Sequence, residues 1–200
     1  MITYLKLPPF EALTYISAIT LIVSCVSLTY CRQWPALFQR PGAWLGYSVG
    51  IVGNNVAYYL AFHYAPPIEV DLITWLWPAA SVFILFRERL LKNIYHQLSI
   101  ALCLIALPCI LPWHPSLTHY SLGYLYALCA LVCWCIYTRA TQAHPNTPTM
   151  LAPLCFGLST PLHYMLHNHF ETFTQPTMTQ WGILGLLGLG GASTAFYLWD

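Results

Sequence analysis

Seven apolar segments follow one another along the chain, each near the length that a helix needs to cross a lipid bilayer. About 20 apolar residues span the hydrocarbon core as a helix. Short polar stretches rich in proline stand between the segments and are typical of loops. Lipid offers no partner to an exposed backbone polar group, so such segments fold as helices. The pattern predicts an all-α integral membrane protein with about seven transmembrane helices, at residues 10–31, 42–63, 68–86, 94–112, 120–140, 148–167 and 180–199.

The composition excludes a water-soluble domain and a nucleic-acid-binding protein. The chain is 58% hydrophobic and 6% charged, whereas soluble domains carry about 25% charged residues. Its formal net charge of +1 provides no basic surface for nucleic acid. The eight cysteines lie in or beside apolar segments and form no CxxC pair, so we predict neither a disulfide framework nor a metal or other cofactor. The lipid bilayer is the expected surrounding.

The basic residues predict the orientation of the chain. When the segments alternate across the membrane, Lys6 lies on one side and six basic residues lie on the other. The positive-inside rule makes the second side cytoplasmic and the N-terminus external. The run RERLLK at 87–92 is expected to be a cytoplasmic anchor. The six residues are Arg32, Arg40, Arg87, Arg89, Lys92 and Arg139.

Two stretches of the sequence resemble each other. GIVGNNVAYYL at 50–60 aligns with GLGGASTAFYL at 188–198, with an offset of 138 residues and five identities in eleven positions. They lie five segments apart, so the copies run in opposite directions, as in the inverted repeats of many secondary transporters. At the same offset, a counterpart of Ile68–Pro78 begins near position 206, beyond Asp200. The external N-terminus implies a missing opening helix as well, so we expect a fragment truncated at both ends.

The stretch Tyr58–Leu90, YYLAFHYAPPIEVDLITWLWPAASVFILFRERL, and the later GYLYALCALVCWCIYTRA resemble the drug/metabolite transporter superfamily of the EamA type. In that family an AL.YA phrase ends the third helix. The fourth helix runs through YLWP to a glutamate and an arginine at its cytoplasmic end. Within the family, APPIEVDLITWLWP is similar to bacterial exporters of aromatic amino acids. The matching residues here are Ala61, Tyr64, Ala65, Leu76, Trp77, Pro78, Glu88 and Arg89.

The resemblance implies a ten-helix fold made of two inverted halves of five helices (5+5). Residues 1–112 would form the first repeat without its opening helix, and residues 117–200 the second repeat without its last two helices. It also implies a multi-pass permease of the bacterial inner membrane. Such a permease exports small metabolites such as amino acids by exchange through a central cavity.

Two alternatives to a working permease stay open. The chain could be an inactive remnant, or a half-transporter that needs a complementing half or forms a homodimer. It could also be a membrane-embedded enzyme that uses His163 or His167, although we expect no enzymatic activity.

The stretch IEVDLITWLWP places two carboxylates, two indoles and a proline inside an apolar segment. Glu69 and Asp71 follow two prolines and lie at a predicted helix start, where the helix dipole stabilises carboxylates near the outer boundary. Either could instead bind a proton or a cationic group, which makes both candidates for coupling. At 100° per residue, Asp71, Trp75 and Pro78 share a face while Glu69 and Trp77 point elsewhere. Pro78 is expected to kink the helix. We predict that Trp75, Trp77 and Pro78 bind substrate.

The stretch GNNVAYY provides the other candidate substrate-binding residues. Asn54 and Asn55 lie halfway along an apolar segment, where an unpaired amide is costly. They are expected to bond either a neighbouring helix or a substrate. Tyr58 and Tyr59 continue the stretch, and Tyr59 shares a face with Asn55.

HYMLHNHF contains three histidines at the outer end of a segment. His163 and His167 have the i, i+4 spacing that metal sites use, and Glu171 follows them. With no other carboxylate or cysteine beside them, we interpret His163, His167 and His169 as residues of the membrane–water interface and predict no metal site.

Overall fold

The computed structural model describes residues 7–39, 41–85, 94–95, 97–98, 101–102, 105 and 120–194. Within these residues all regular structure is helical. Several predicted features lie outside them, namely most of the segment 94–112, the end of the second repeat copy, and Lys6, Arg40, Arg87, Glu88, Arg89 and Lys92.

The chain forms two compact units. Unit 1 holds the described residues up to Ser48 and from His144 onward, and unit 2 holds those from Val49 to Ala143. Each unit therefore contains residues from both predicted repeats, 1–112 and 117–200. The assignment of repeats stays a prediction.

Unit 1 is built around one long helix, α1 (Pro9–Tyr30). Pro9 occupies the start of α1, where its missing N–H costs no hydrogen bond. The other elements are α2 (Trp34–Phe38), α3 (Pro41–Tyr47), α8 (Leu151–Leu158), α9 (Thr160–Phe170), α10 (Met178–Leu186) and a π-helical stretch over Leu187–Thr194. A capping box between Thr177 and Gln180 begins α10.

Unit 2 is built around α7 (Ser121–Ala143), which packs against α4 (Gly53–Tyr64), α5 (Pro67–Thr74) and α6 (Trp77–Leu85). A π-helical turn, Ser48–Val52, leads into α4. The core between these helices consists of small side chains: Ala61, Ala65, Val70 and Ala127. Small residues let helix backbones approach closely, which is how helices pack in a membrane where lipid removes the hydrophobic drive.

Helical structure covers most of the described part of each predicted apolar segment, but only two of the described helices, α1 and α7, are long and apolar enough to cross a membrane as single helices. Four of the other segments are divided: 42–63 by the π-helical turn, 68–86 by a turn at Trp75–Leu76, 148–167 by a turn at Ser159 and 180–199 by the change to π-helical structure at Leu187. The second and third breaks each stand just before a proline, Pro78 and Pro161. Because proline fits the first turn of a helix better than its interior, the chain restarts a helix there. The number of crossings stays a prediction.

The buried side of α1 carries polar residues among apolar ones. Glu11, Ser17, Thr20 and Ser24 are buried together with five apolar residues of the same helix, whereas Ile22 and Val26 are exposed. The hydroxyl of Thr20 donates to the carbonyl of Ile16 at 2.8 Å, and that of Ser24 donates to the carbonyl of Thr20 at 2.7 Å. These two buried hydroxyls are therefore paired, as a lipid surrounding requires of polar groups.

Close approach at Gly157 generates a prediction about unit 1. A Cβ added there would lie 2.6 Å from the Cα of Leu21 in α1. We expect Gly157→Ala to lower the free energy of unfolding by about 1–3 kcal/mol, since the backbones must separate. Thermal unfolding of the purified chain in detergent measures the effect.

Gly182→Ala in α10 is the matched control. A Cβ there meets no atom of the described residues within 4 Å, so this variant should keep or slightly raise stability through helix propensity. Equal effects of the two substitutions would contradict the close packing of α8 on α1.

Candidate functional site

The carboxylate of Asp71 accepts a hydrogen bond from the hydroxyl of Tyr58. Asp71 lies in α5, which starts at Pro67, and Tyr58 lies on α4. Both side chains are half-buried. Asp71 and Tyr58, which were candidate residues in two separate stretches of the sequence, are therefore hydrogen-bonded to each other.

Glu69 forms a second pair of the same kind. Its carboxylate accepts a hydrogen bond from the hydroxyl of Tyr124 on α7. Glu69 is 7% exposed, so the prediction of two boundary carboxylates on the first turns of α5 needs correction for this residue. The helix start is as predicted, but Glu69 turns into the helix packing, because a tyrosine hydroxyl supplies the donor that water would otherwise supply.

Tyr58, the partner of Asp71, belongs to a group of aromatic rings on α4. Tyr58 contacts Tyr59 edge-on, with ring centroids 5.7 Å apart, and Phe62 at 4.4 Å. Such edge-to-face pairs are favourable beyond the area they bury. The site thus offers a carboxylate beside a group of rings, which suits a solute that carries a cationic group and an apolar body.

The two asparagines differ from each other. The Asn54 amide donates to the carbonyl of Ala130 on α7 at 3.0 Å, which is a bond between helices. The Asn55 amide donates to the carbonyl of Ile51 at 2.7 Å, within its own helical segment. The bond to a neighbouring helix is therefore seen for Asn54 only, because the Asn55 amide bonds the carbonyl four residues earlier in its own helix; substrate binding by either amide stays a prediction.

Trp75, Trp77 and Pro78 do not share one continuous helix with Asp71. The turn at Trp75–Leu76 ends α5, and Trp77 and Pro78 begin α6. Trp75 stays one turn from Asp71, with its amide bonded to the carbonyl of Asp71 at 2.8 Å, and its side chain is 70% exposed. Trp77 is half-buried and its indole lies 5.8 Å from that of Trp134 on α7. The predicted common face therefore holds for Asp71 and Trp75 but stops before Pro78.

The histidines belong to unit 1. His163 and His167 are buried, with His163 fully enclosed, while His169 is exposed. Their assignment to the membrane–water interface stays a prediction. His167 pairs with Glu171 at 3.0 Å between Nδ1 and Oε2. Among the described residues no three His, Cys, Asp or Glu side chains converge as metal ligands.

Sequence reasoning missed Tyr124 as the partner of Glu69, since the two stand 55 residues apart and no spacing rule connects them. It also missed how Glu171 caps α1: its carboxylate accepts from the backbone N–H of Phe10 at 2.9 Å and of Glu11 at 3.0 Å. Glu11 in turn accepts from the backbone N–H of Thr174 at 3.0 Å. The signal available in the sequence was the pair of acidic residues that make these contacts, Glu11 and Glu171.

The pairing of Glu69 with Tyr124 generates a prediction about stability. Tyr124→Phe removes the donor and leaves a buried carboxylate unpaired, so we expect a loss of about 1–3 kcal/mol in the free energy of unfolding. Tyr126→Phe on the same helix is the control, because Tyr126 stacks on Tyr64 with ring centroids 5.8 Å apart and phenylalanine keeps that contact. Indistinguishable unfolding temperatures for the two variants would contradict a structural role for the Tyr124 hydroxyl.

Comparisons with known proteins agree with the resemblance. No family model matches the sequence. The chain is 28% identical over 184 residues to the aromatic amino acid exporter YddG of Ancylobacter novellus, a match that covers 88% of this chain. The chain spans 61% of the length of that exporter. A solved crystal structure shares the fold with a TM-score of 0.78 and 26% sequence identity, covering 98% of this chain and 70% of the other. The similarity to this exporter confirms the predicted resemblance to the drug/metabolite transporter superfamily and, within it, to the exporters of aromatic amino acids.

Proposed function

We propose that this chain is part of a membrane transporter that exports small metabolites, with aromatic amino acids as the first solutes to test. The observation that carries the proposal is the half-buried carboxylate of Asp71 in α5, held by Tyr58, which lies among aromatic rings. Ionisable groups at such positions are costly and are typical of substrate or ion pathways. The similarity to an aromatic amino acid exporter supports the same class of solute.

The chemistry of the pair suits an amino acid. A carboxylate forms a charge-assisted bond with an ammonium group, and the hydroxyl of Tyr58 can stay bonded to the same carboxylate. Trp75, one turn beyond Asp71 and exposed, offers a ring face for an aromatic side chain. Tyr59, Trp77, Pro78 and the two asparagines complete the proposed lining of the pathway, where Asn54 also bonds the backbone of α7.

Of the two coupling candidates, Asp71 is the better placed. Exchange requires a carboxylate that can release one partner and take another. Asp71 is partly exposed, whereas Glu69 is buried and bonded to Tyr124. We propose that Asp71 exchanges the solute against a proton and that Glu69 holds α5 against α7.

The inverted repeat is part of the proposal. Both copies of the repeated stretch include π-helical structure, at Ser48–Val52 and Leu187–Thr194. Both also place a glycine against a neighbouring helix: an added Cβ at Gly50 would lie 2.7 Å from the Cα of Tyr137, and one at Gly188 would lie 2.7 Å from Ile19. These likenesses support two copies of one five-helix design. With the similarity to a bacterial exporter, we extend the proposal to seven crossings in this chain and a multi-pass place in the bacterial inner membrane.

We propose that the active form contains a second copy of the chain or a complementing half that contributes to the pathway. Cross-linking in vesicles that yields a dimer with efflux would support this, and efflux by a monomer would exclude it.

Substitution of Asp71 tests the proposed function. We expect Asp71→Asn to reduce efflux of Trp, Phe and Tyr from loaded vesicles about tenfold or more, because a charge-assisted hydrogen bond contributes about 1.5–3 kcal/mol. Tyr126→Phe should export at the native rate. Native efflux by a folded Asp71→Asn variant would contradict the proposal.

A further inference from the structure

The charged residues of unit 1 that the structure describes lie at opposite ends of α1. Glu11 and Glu171 meet at its start, where both accept backbone N–H groups. Arg32 stands two residues after its last residue, Tyr30. The 22 residues of α1 rise about 33 Å at about 1.5 Å per residue, close to the thickness of about 30 Å of a hydrocarbon core. The acidic and the basic end of α1 therefore match opposite faces of a membrane.

Arg32 ends α1 in a backbone conformation that is rare for arginine. Its φ is 56°, in the left-handed region. The N–H of Arg32 bonds the carbonyl of Thr29 at 3.3 Å, and the N–H of Gln33 bonds the carbonyl of Leu28 at 3.0 Å. This is the Schellman arrangement of a helix end, in which glycine or asparagine usually takes the left-handed position because larger side chains are strained there. The helix end therefore does not itself call for an arginine.

The guanidinium of Arg32 is available to an anion from outside the chain. Its side chain is exposed. The sequence has no acidic residue from position 12 to position 68, and Glu11 and Glu171 lie at the other end of α1. A cation at this end also complements the helix dipole, an effect that does not depend on the lipid around the chain.

Aromatic residues flank Arg32 in the chain and reach the surface. Tyr30 is 89% exposed and Phe38 is 69% exposed. Trp34 is half-buried, and its indole N–H donates to the hydroxyl of Thr29 at 3.1 Å. Tyrosine and tryptophan are enriched where a membrane meets water, because each combines an apolar ring with a polar atom. The end of α1 and the start of α2 therefore have the composition of a membrane–water boundary.

Buried contacts hold α2 in place on unit 1. Leu37 is 1% exposed, and its carbonyl accepts from the indole N–H of Trp44 on α3 at 2.8 Å. The ring of Trp44 also stacks on that of Phe38, with centroids 6.1 Å apart. Leu37 thus attaches α2 from the inside while Phe38 stays on the outside. A surface that is already ordered loses little conformational entropy when it binds a partner.

We propose that Arg32 with Tyr30, Trp34 and Phe38 forms a surface that binds the headgroup of an anionic phospholipid. The guanidinium fork donates to the phosphate oxygens, and the aromatic rings contact the apolar part of the lipid below the headgroup. Phosphatidylglycerol is preferred to phosphatidylcholine, because the choline group of the latter neutralises its own phosphate. The inference rests on the membrane location in the proposed function and does not require transport.

Lipid retention by the whole chain tests the proposal. The chain is reconstituted in nanodiscs that contain equal amounts of phosphatidylglycerol and phosphatidylcholine and is then released into detergent. Native mass spectrometry counts the lipids that stay bound. We expect phosphatidylglycerol to be retained about fivefold or more over phosphatidylcholine, the factor that one basic residue near the membrane surface provides. Equal retention of the two lipids would overturn the proposal.

Arg32→Asn is the decisive variant, because asparagine tolerates the left-handed conformation and the helix end stays intact. It should lower the preference for phosphatidylglycerol about fivefold. Arg139→Gln is the matched control, since it removes one exposed positive charge near the end of α7 and should leave the preference unchanged. An intact preference in Arg32→Asn, or equal losses in the two variants at native helical circular dichroism, would overturn the proposal.

The measurement separates this inference from the proposed function. Native efflux by a folded Asp71→Asn variant would contradict the proposed function without affecting lipid retention. Equal retention of the two lipids would overturn the headgroup surface at Arg32 without bearing on Asp71.

Discussion

Pairing of polar groups inside a lipid-facing helical protein is the constraint on which the rest of the structure depends. In hydrocarbon an unpaired polar group costs several kcal/mol. The buried and half-buried polar side chains of unit 2 discussed above accordingly have partners on their own or a neighbouring helix: Tyr58 for Asp71, Tyr124 for Glu69, and the carbonyl of Ala130 for Asn54. These bonds hold α4, α5 and α7 of unit 2 in register. They also leave Asp71, which is partly exposed, as the group best placed to exchange a partner.

Unit 1 obeys the same constraint with different residues. Four polar side chains of α1 are buried, and the carboxylates of Glu11 and Glu171 each accept backbone N–H groups from the opposite chain segment. Close approach of backbones at Gly157 and Gly188 permits these contacts. The buried imidazole of His163 lies among hydroxyls within that packing. Polar pairing and small-residue packing therefore act together, since the hydrogen bonds require the short distances that glycine allows.

The sequence predicts the helical class and the helix starts well, because apolar length and proline placement act locally. The starts of α1 at Pro9 and α5 at Pro67 illustrate this. It does not predict the breaks inside segments, as at Trp75–Leu76, which moved Pro78 off the face of Asp71. Nor does it predict which partners meet, because Glu69 and Tyr124 are brought together by packing over 55 residues. Burial of His163 escaped prediction for the same reason.

Isotope-edited infrared spectroscopy of the Asp71 carboxylate tests the central claim most directly. The chain contains two aspartates, Asp71 and Asp200, so labelling aspartate with ¹³C and substituting Asp200→Asn isolates a single carboxylate. The account predicts that adding tryptophan to the purified protein in lipid shifts the carboxylate bands of Asp71, because the ammonium group replaces part of its present surroundings. Bands that stay unchanged while tryptophan binds would contradict the assignment of Asp71 to the solute pathway.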